Sequence, residues 1–219
     1  GWCILCSLES ALIDLKFLGI DNVLALRGDS MKSESSFIPA EGGHKYALKL
    51  IEQINDMNKG QYLYEETKNS PSNFCIGAAG YPEKHFESMN LSSDLKNLKK
   101  KVDAGAEFIV TQLFYDNQKY FEFVEKCRSI GIKIPIIPGL KPITTQKHLT
   151  FIPKFFHVNF PEELSNELEK CKTNHEIKAV GEEWSVKQCK ELIKSKVPAL
   201  HFYTMGRGVA IKNIARKIF

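Results

Sequence analysis

Short apolar runs alternate with amphipathic segments along the whole chain. Five such runs cover residues 22–27, 74–79, 107–113, 134–138 and 199–203. Their apolar residues are continuous rather than alternating, which is typical of strands buried on both faces. Before the first run, Leu12, Leu15 and Leu18 recur at helical spacing, and Gly19 follows where a helix C-cap would lie. The pattern therefore predicts one helix followed by five strand–helix units, the order of a parallel sheet covered by helices.

The helices between the runs are predicted from the same periodicity and from glycine and proline positions. They comprise a helix that starts after Ser93 and closes before Gly105, a helix over 117–130, three helices within 140–198 separated by Pro142, Pro153 and Pro161, and a final helix from about Arg207 to Ile218. Residues 30–41 and 59–73 are predicted as polar loops. No linker rich in Pro, Gly or Ser divides the chain, so residues 1–219 are interpreted as a single domain.

Five strand–helix units leave two α/β fold classes open. A complete (β/α)8 barrel has eight strands and about 250 residues, whereas this chain has five apolar runs in 219 residues. The chain is therefore either an open, doubly wound sheet or about the last five βα units of a TIM barrel. The absence of an initiator Met at Gly1 favours the second interpretation.

Composition and charge indicate which kinds of binding partner and which cellular compartment the protein has. The net charge of +4 is mild and the lysines are spread along the predicted helices, so no nucleic-acid partner is indicated. No apolar stretch approaches the roughly 20 residues of a membrane-spanning helix. Six scattered cysteines do not make a disulfide framework and indicate a reducing, intracellular compartment. Cys3 and Cys6 have metal-site spacing, but no second Cys or His pair completes it, so no metal is predicted.

Polar and aromatic side chains follow each of the five predicted strands. The strand ends are Arg27-Gly28-Asp29, Tyr81-Pro82-Glu83-Lys84-His85, Thr111-Gln112 with Asp116, Pro138-Gly139-Leu140-Lys141, and Tyr203-Thr204 with Arg207. Loops are polar in any fold, but carboxyl ends of parallel strands are where barrels and open α/β sheets build their sites. Glycine-rich dinucleotide and phosphate-binding loops are absent, as is a Gly-x-Ser-x-Gly elbow.

Read together, six motifs resemble the methylenetetrahydrofolate reductase family over about residues 9 to 219. They are Leu-Ala-Leu-Arg-Gly-Asp (24–29), Ala-Gly-Tyr-Pro-Glu-Lys-His (79–85), Leu-Lys-Lys-Lys-Val-Asp-Ala-Gly-Ala (98–106), Thr-Gln-Leu-Phe-Tyr-Asp (111–116), Ile-Ile-Pro-Gly-Leu-Lys-Pro-Ile (136–143) and His-Phe-Tyr-Thr-Met-Gly-Arg (201–207). The resemblance implies a (β/α)8 barrel with non-covalent FAD. It also implies cytoplasmic reduction of 5,10-methylenetetrahydrofolate to 5-methyltetrahydrofolate with NAD(P)H, in one-carbon and methionine metabolism.

The resemblance also assigns roles to individual residues. The expected FAD contacts are Arg27, Gly28, Asp29, Ala47, Tyr81, His85, Ser88, Asp94, Asn97, Lys100 and Lys101. The expected folate contacts are Asp29, Gln112, His148 and Arg207. Asp29 is the expected catalytic carboxylate, favouring a cationic iminium form of the folate. Lys101 would neutralise the diphosphate, and Gln112 would hydrogen-bond the pterin edge because an amide both donates and accepts. Arg207 would meet the anionic folate tail or the nicotinamide nucleotide.

The sequence departs from the family pattern in ways that bear on activity. Met205-Gly206 stands where the family usually has Leu-Asn before the arginine, which is expected to loosen Arg207. The family's third strand is not matched before Leu8, and its first two strands are absent, including the glutamate that acts as general acid. The chain is therefore expected to be a partial catalytic barrel, inactive by itself, without any C-terminal regulatory domain. A homo-oligomer of the full-length protein would cover bare sheet edges.

Two other interpretations stay open at this stage. The first is a short, non-catalytic paralogue that binds FAD, folate or a protein partner, which the missing general acid would explain. The second is an unrelated barrel enzyme, such as a lyase acting on a phosphorylated substrate. The lack of a glycine-rich phosphate loop after the later strands argues against the lyase.

Overall fold

A computed structural model of the protein describes residues 4–28, 37–63 and 70–219. Within these ranges the helices are α1 (Ile4–Phe17), α2 (Ala47–Asn58), α3 (Leu91–Asp103), α4 (Asn117–Ser129), α5 (Gln146–Phe156), α6 (Glu162–Glu169), α7 (Asn174–Lys194) and α8 (Val209–Ile218). The strands are β1 (Asn22–Ala25), β2 (Cys75–Gly80), β3 (Phe108–Leu113), β4 (Ile136–Leu140) and β5 (His201–Phe202). The element order is the predicted one, with α2 as the helix between the first two strands.

The five strands form one sheet in the order β1-β2-β3-β4-β5. In β1 and β2, Asn22 pairs with Cys75 and Ala25 with Ala78, in parallel. Strands β4 and β5 are also parallel, and Gly139 pairs with His201. A doubly wound sheet reverses its strand order at a switch point, and this sheet shows no reversal. The prediction of a partial (β/α)8 barrel is therefore confirmed over the doubly wound alternative.

Several predicted boundaries are wrong, each for a local reason. Helix α3 begins at Leu91 rather than after Ser93, because the Asn90 side chain caps it by accepting the Ser93 N–H at 2.8 Å. Pro153 lies inside α5 instead of bounding it, and the helix ends at Phe156, followed by the C-cap residue His157 with a left-handed φ of 53°. Helix α8 starts at Val209 rather than Arg207, since Met205 and Gly206 form a turn with positive φ.

The described chain divides into two compact units. Unit 1 contains residues 1–79 and 96–109, and unit 2 contains residues 80–95 and 110–219. The interpretation of residues 1–219 as a single domain stays a prediction. Unit 1 packs α1 and α2 against β1 and β2 around a buried core of Leu12, Ala25, Ile51, Ile54, Met57, Phe74, Ile76, Ala78 and Ala106.

Unit 2 has its own core, formed where α5, α6 and α7 pack over the end of β3. Its buried residues are Leu113, Tyr115, Ile143, Ile152, Val158, Leu164, Leu168 and Ile177. The indole N–H of Trp184 on α7 donates to the Tyr115 carbonyl at 2.9 Å, which fixes the helix against the strand end. The capping box of Thr173 and Glu176 defines where α7 begins. Among the described residues, no helix combines the length and the apolar character needed to cross a membrane.

Candidate functional site

In unit 1, the carboxyl ends of β1 and β2 lie at the same edge because the two strands are parallel and in register at Ala25 and Ala78. Arg27 and Gly28 follow β1 directly, and the Arg27 guanidinium lies 4.9 Å from the centroid of the Phe37 ring. At the neighbouring strand end, the Lys101 ammonium donates to the Ala79 carbonyl at 3.2 Å. Unit 1 therefore gathers three of the predicted FAD contacts, with two positive charges, at its strand ends.

Gly28 is open to substitution as far as the described chain is concerned. A Cβ atom there would meet only Phe37 Cε2, at 3.6 Å, which is ordinary van der Waals contact, and Gly28 has no positive φ. Its predicted role, close approach to a ligand, is compatible with this exposed position. Asp29, the predicted catalytic carboxylate, lies outside the described residues. Ala47 is the first residue of α2 and is half-buried.

Helix α3 carries its predicted site residues on one face. Asp94, Asn97 and Lys101 recur at i, i+3 and i+7, while Leu95 and Leu98 are buried on another face. Lys100 and Asn97 are exposed. The adjacent Lys99 forms an i,i+4 ion pair with Asp103 on the surface. The run of three lysines is therefore divided, with Lys99 paired within the helix and Lys101 reaching the strand end.

The loop that follows β2, in unit 2, is organised around the Lys84 ammonium. Its Nζ donates to the Ser88 carbonyl at 2.7 Å and to the His85 and Phe86 carbonyls at 3.2 and 3.4 Å. Lys84 itself has a φ of 84°, an uncommon conformation for a residue with a side chain. The Lys84 ammonium therefore hydrogen-bonds three backbone carbonyls of a loop that is neither helix nor strand.

Asp94 fixes the same loop from the start of α3. Its carboxylate accepts the His85 N–H and the Ser88 hydroxyl, both at 3.0 Å. His85 Nδ1 accepts the Glu87 N–H at 3.2 Å, which places the proton of a neutral imidazole on Nε2. The His85 ring packs edge-on against Tyr81, with centroids 4.6 Å apart. Unit 2 thus brings together Tyr81, His85, Ser88 and Asp94, and two of these four side chains fix the loop itself.

A second contact joins this loop to the segment after α5. The Phe86 and His157 rings stack with centroids 4.9 Å apart. The Glu83 carboxylate accepts the Asn159 N–H at 3.2 Å from each oxygen. Both contacts lie within unit 2, and together they connect Glu83 and Phe86 of the loop to the residues that follow α5.

The ends of β3, β4 and β5 are joined by the side chain of Tyr203. Its hydroxyl donates to the Thr111 carbonyl at 2.8 Å, and the Gly139 N–H donates to Thr111 Oγ1 at 2.9 Å. A Cβ atom on Gly139 would lie 2.7 Å from Tyr203 Cε2 and 2.1 Å from the Thr111 oxygen. Only glycine therefore lets the tyrosine ring cross β4. Burial raises the pKa of Tyr203 to about 12, so the hydroxyl keeps its proton and stays a donor.

Three of the four predicted folate contacts, Gln112, His148 and Arg207, lie in unit 2, and the fourth, Asp29, lies outside the described residues. Gln112 is half-buried, and its Oε1 accepts the Leu113 N–H at 3.0 Å, which leaves its amide N–H groups as donors. His148 Nδ1 accepts the Thr144 N–H at 3.2 Å. Burial lowers the pKa of His148, and the positive charges of Lys141 and Arg207 lower it further. Arg207 is exposed and follows the turn closed by its N–H and the Thr204 carbonyl.

Sequence reasoning missed three residues that the structure makes prominent here. Lys84 and Lys141 lay inside quoted motifs without an assigned role, and so did Tyr203. Gly139, directly after the apolar run 134–138, was the available signal for Tyr203, because a glycine in or beside a strand often marks close approach of another group. No local pattern shows that a lysine following a strand will be buried, since that depends on residues far along the chain.

Strands in chain order, with polar side chains at their carboxyl ends, place the protein in the class of (β/α)-barrel proteins that build sites at that edge. The sequence profile of the methylenetetrahydrofolate reductase family matches residues 4–218. The chain belongs to this family, as its strand-end motifs predict.

Individual relatives agree with this membership. The chain is 40% identical over 209 residues to methylenetetrahydrofolate reductase (NADH) 1 of Arabidopsis thaliana, covering 91% of this chain and 33% of the relative. It is 34% identical over 206 residues to a probable methylenetetrahydrofolate reductase (NADPH) of Caenorhabditis elegans, covering 93% and 29%. It is 32% identical over 192 residues to a 5,10-methylenetetrahydrofolate reductase of Pectobacterium carotovorum, covering 86% and 57%. The chain thus spans about a third of the length of the plant and nematode relatives.

The residues present fit a flavin dinucleotide in their chemistry. A diphosphate needs cationic donors, and α3 supplies the ammonium groups of Lys100 and Lys101 beside the Asn97 amide. The isoalloxazine needs close backbone approach, which the open position of Gly28 allows. Among the described residues, no group of three or more His, Cys, Asp or Glu side chains could hold a metal ion.

Proposed function

We propose that the protein reduces 5,10-methylenetetrahydrofolate to 5-methyltetrahydrofolate, with NAD(P)H as electron donor and FAD as cofactor. The observation that carries the proposal is family membership over residues 4–218. The polar strand ends of both units support it. Relatives are named for NADH in the plant and for NADPH in the nematode, so the donor is proposed only as a reduced nicotinamide nucleotide.

Residues of unit 1 are proposed to contact FAD, which when bound accepts a hydride from the nicotinamide and passes one to the folate. Lys100 and Lys101 would neutralise the diphosphate, and Asn97 would hydrogen-bond the nucleotide part. Gly28 would admit the cofactor to the backbone, with Arg27 beside it. Ala47 would pack against the cofactor because its methyl group is small enough for close contact.

In unit 2, the loop after β2 is proposed to present Tyr81 and His85 to FAD. Asp94 holds the His85 backbone and the Ser88 hydroxyl, and the Glu87 N–H and the Tyr81 ring contact the imidazole itself. Ser88 and Asp94 are therefore proposed to support the cofactor mainly by fixing this loop. The His85 imidazole, whose Nδ1 accepts the Glu87 N–H, would contact the ligand from this loop.

The strand ends of β3, β4 and β5 are proposed to bind the folate. Gln112 would donate its amide N–H groups to the pterin edge, since its oxygen is already held by Leu113. His148, kept neutral by burial and neighbouring cations, would hydrogen-bond without adding charge. Arg207 would pair with an anionic group of the folate tail or the nicotinamide nucleotide. Asp29 is proposed to favour the cationic iminium form of the folate by its negative charge.

The location and assembly of the protein follow from the same proposal. Among the described residues, the free cysteines Cys75, Cys127, Cys171 and Cys189 agree with a reducing, cytoplasmic setting. Product release into one-carbon metabolism would supply methyl groups for methionine. A homo-oligomer is proposed as the functional assembly, and light scattering of the purified protein measures it directly.

The test is an activity assay on the protein expressed from its complete coding sequence. Flavin absorbance and oxidation of NADH or NADPH with methylenetetrahydrofolate would be measured, together with the variant Gln112→Ala. This variant should raise the KM for folate and leave the flavin content unchanged, whereas Gln118→Ala, an exposed amide on α4, should change neither. A colourless protein without turnover would contradict the proposal. Binding of flavin and folate without turnover would instead favour the non-catalytic paralogue.

A further inference from the structure

Lys141 is a buried cation that the structure leaves weakly satisfied. It lies just beyond β4, with 9% of its surface exposed. Among the described residues, the hydrogen-bond contact of its ammonium is the Tyr203 carbonyl at 3.5 Å, near the limit for such a bond. Its own carbonyl accepts the Tyr115 hydroxyl at 3.0 Å, which fixes the backbone at this position. Buried lysines are normally paired with a carboxylate because an unpaired buried charge is costly.

Apart from the Tyr203 carbonyl, the polar side chains that act on this region can donate hydrogen bonds. His148 uses Nδ1 to accept the Thr144 N–H, which leaves its Nε2–H as a donor. The Arg207 guanidinium has no hydrogen bond or ion pair with the described residues. Lys141 and Arg207 both act on the His148 imidazole as positive charges, and no carboxylate is among the causes that shift its pKa. Within the described chain, neither Lys141 nor Arg207 forms an ion pair with a carboxylate, so this end of unit 2 carries two cationic donors and the His148 N–H without a paired negative charge.

We propose that Lys141 binds an anionic group, a carboxylate or a phosphate, of a small-molecule ligand at the carboxyl ends of β4 and β5, with Arg207 and His148 as additional donors. Within the described chain the Lys141 ammonium has one long hydrogen bond, to the Tyr203 carbonyl, and a ligand anion would accept its remaining N–H groups. The desolvated position strengthens the attraction, since charges interact more strongly where water is excluded. Lys141 thus adds a ligand contact to those inferred from the family motifs.

The inference deepens the proposed function and rests on it for the identity of the anion. In that reaction a carboxylate comes from the glutamate tail of the folate, and a phosphate comes from the nicotinamide nucleotide. The two sources can be separated with fragments that carry one anion each. Para-aminobenzoylglutamate carries the carboxylates, and inorganic pyrophosphate carries the phosphates.

The experiment compares binding of these two probes by calorimetry to the protein expressed from its complete coding sequence. The variants are Lys141→Met, Lys141→Gln and Lys141→Arg. Lys133→Met is the matched control, because Lys133 is an exposed lysine before the opposite, amino-terminal end of β4. The methionine and glutamine variants should weaken one probe roughly ten- to hundredfold, the value of a charge-assisted hydrogen bond. The arginine variant should keep most of the affinity, and the control should keep all of it.

Protein stability separates a binding role from a structural one. Replacing a poorly paired buried ammonium by methionine of similar volume should leave the melting temperature unchanged or raise it. A structural lysine would lower the melting temperature on substitution without changing probe affinity in the folded protein. Selective loss of para-aminobenzoylglutamate binding would identify the folate tail as the source, and selective loss of pyrophosphate binding would identify the nucleotide.

The outcomes distinguish this inference from the proposed function. If neither probe binds the unaltered protein, or if both bind the Lys141→Met and Lys133→Met variants equally, the inference is overturned even if the reductase is active. If reductase activity is absent while one probe still depends on Lys141, the anion site stands and the proposed function fails.

Discussion

Replacing Gly139 by alanine tests whether the Tyr203 ring crosses β4 as the structure shows. The new Cβ would lie 2.1 Å from the Thr111 carbonyl oxygen and 2.7 Å from Tyr203 Cε2. The oxygen belongs to the backbone of β3, whose distance from β4 is set by the sheet spacing of about 4.8 Å, so it cannot move aside cheaply. Relief requires the strands to separate or the tyrosine to leave, and either change weakens the hydrogen bond from Tyr203 to Thr111.

The change in unfolding free energy on Gly139→Ala is the sum of two destabilising effects and one stabilising effect. Overpacking costs about 1–3 kcal/mol, and a buried group that loses its hydrogen bond costs about 1–3 kcal/mol more. Replacing glycine by alanine also lowers the conformational entropy of the unfolded chain, which stabilises the folded protein by only about 0.4–1 kcal/mol. The net loss in unfolding free energy is therefore about 1–5 kcal/mol, and a value near the middle of that range corresponds to a fall in melting temperature on the order of 10 °C for a chain of this size.

The assay is urea unfolding and thermal melting of Gly139→Ala beside Gly208→Ala. Gly208 has open space around its Cβ position and a φ of −87°, so its substitution should cost at most about 1 kcal/mol. Tyr203→Phe removes only the hydroxyl and should lose about 1 kcal/mol. If Gly139→Ala unfolds at the same urea concentration as Gly208→Ala, the tyrosine does not cross β4 and the account of this strand end is refuted.

Three further predictions address the other parts of the site. Gly28→Ala should leave the melting temperature unchanged, because the new Cβ meets only Phe37, at 3.6 Å, within the described chain. The same substitution should lower the flavin content, measured by absorbance, because the methyl group would occupy the space proposed for the cofactor; an equal flavin content would contradict the proposed cofactor contact. Lys84→Met should free three loop carbonyls and increase proteolysis at residues 84–88, whereas Lys96→Met, at an exposed position of α3, should not. His148 has a lowered pKa, so the unfolded chain binds its proton more readily and stability falls as pH drops below about 6.5. His148→Gln should reduce that acid loss, measured by urea unfolding at several pH values; an unchanged pH profile would contradict the burial of His148.

Sequence patterns predicted the helices and strands well where the residues that define an element are adjacent along the chain. The apolar runs located all five strands because burial on both faces requires continuous apolar residues, and Gly19, with a φ of 76°, ends the helix region that contains α1. The predicted start of α3 after Ser93 is wrong because the Asn90 side chain accepts the Ser93 N–H and so caps the helix three residues earlier. Proline predicts a boundary at Pro153, yet α5 continues through it to Phe156.

The candidate site was predicted as a set of strand ends rather than as an arrangement of contacts. The family resemblance assigned roles to Tyr81, His85 and Asp94. In unit 2 the Tyr81 and His85 rings are in contact in the loop after β2, and Asp94, at the start of α3, accepts the His85 N–H. The resemblance gave no role to Lys84, whose function in the loop depends on a backbone with positive φ that no composition rule predicts.

The sequence by itself determined the family, the alternation of strands and helices, and the edge at which polar residues gather, because each is written in residues adjacent along the chain. Only the tertiary structure decided which of those polar residues are buried and what they bond. Lys141 and Tyr203 are 62 residues apart in sequence and meet only because β4 and β5 are neighbours in the sheet. Burial, the resulting pKa changes and the accumulation of donors near Arg207 are properties of that non-local packing, in which the environment of a side chain is set by distant parts of the chain.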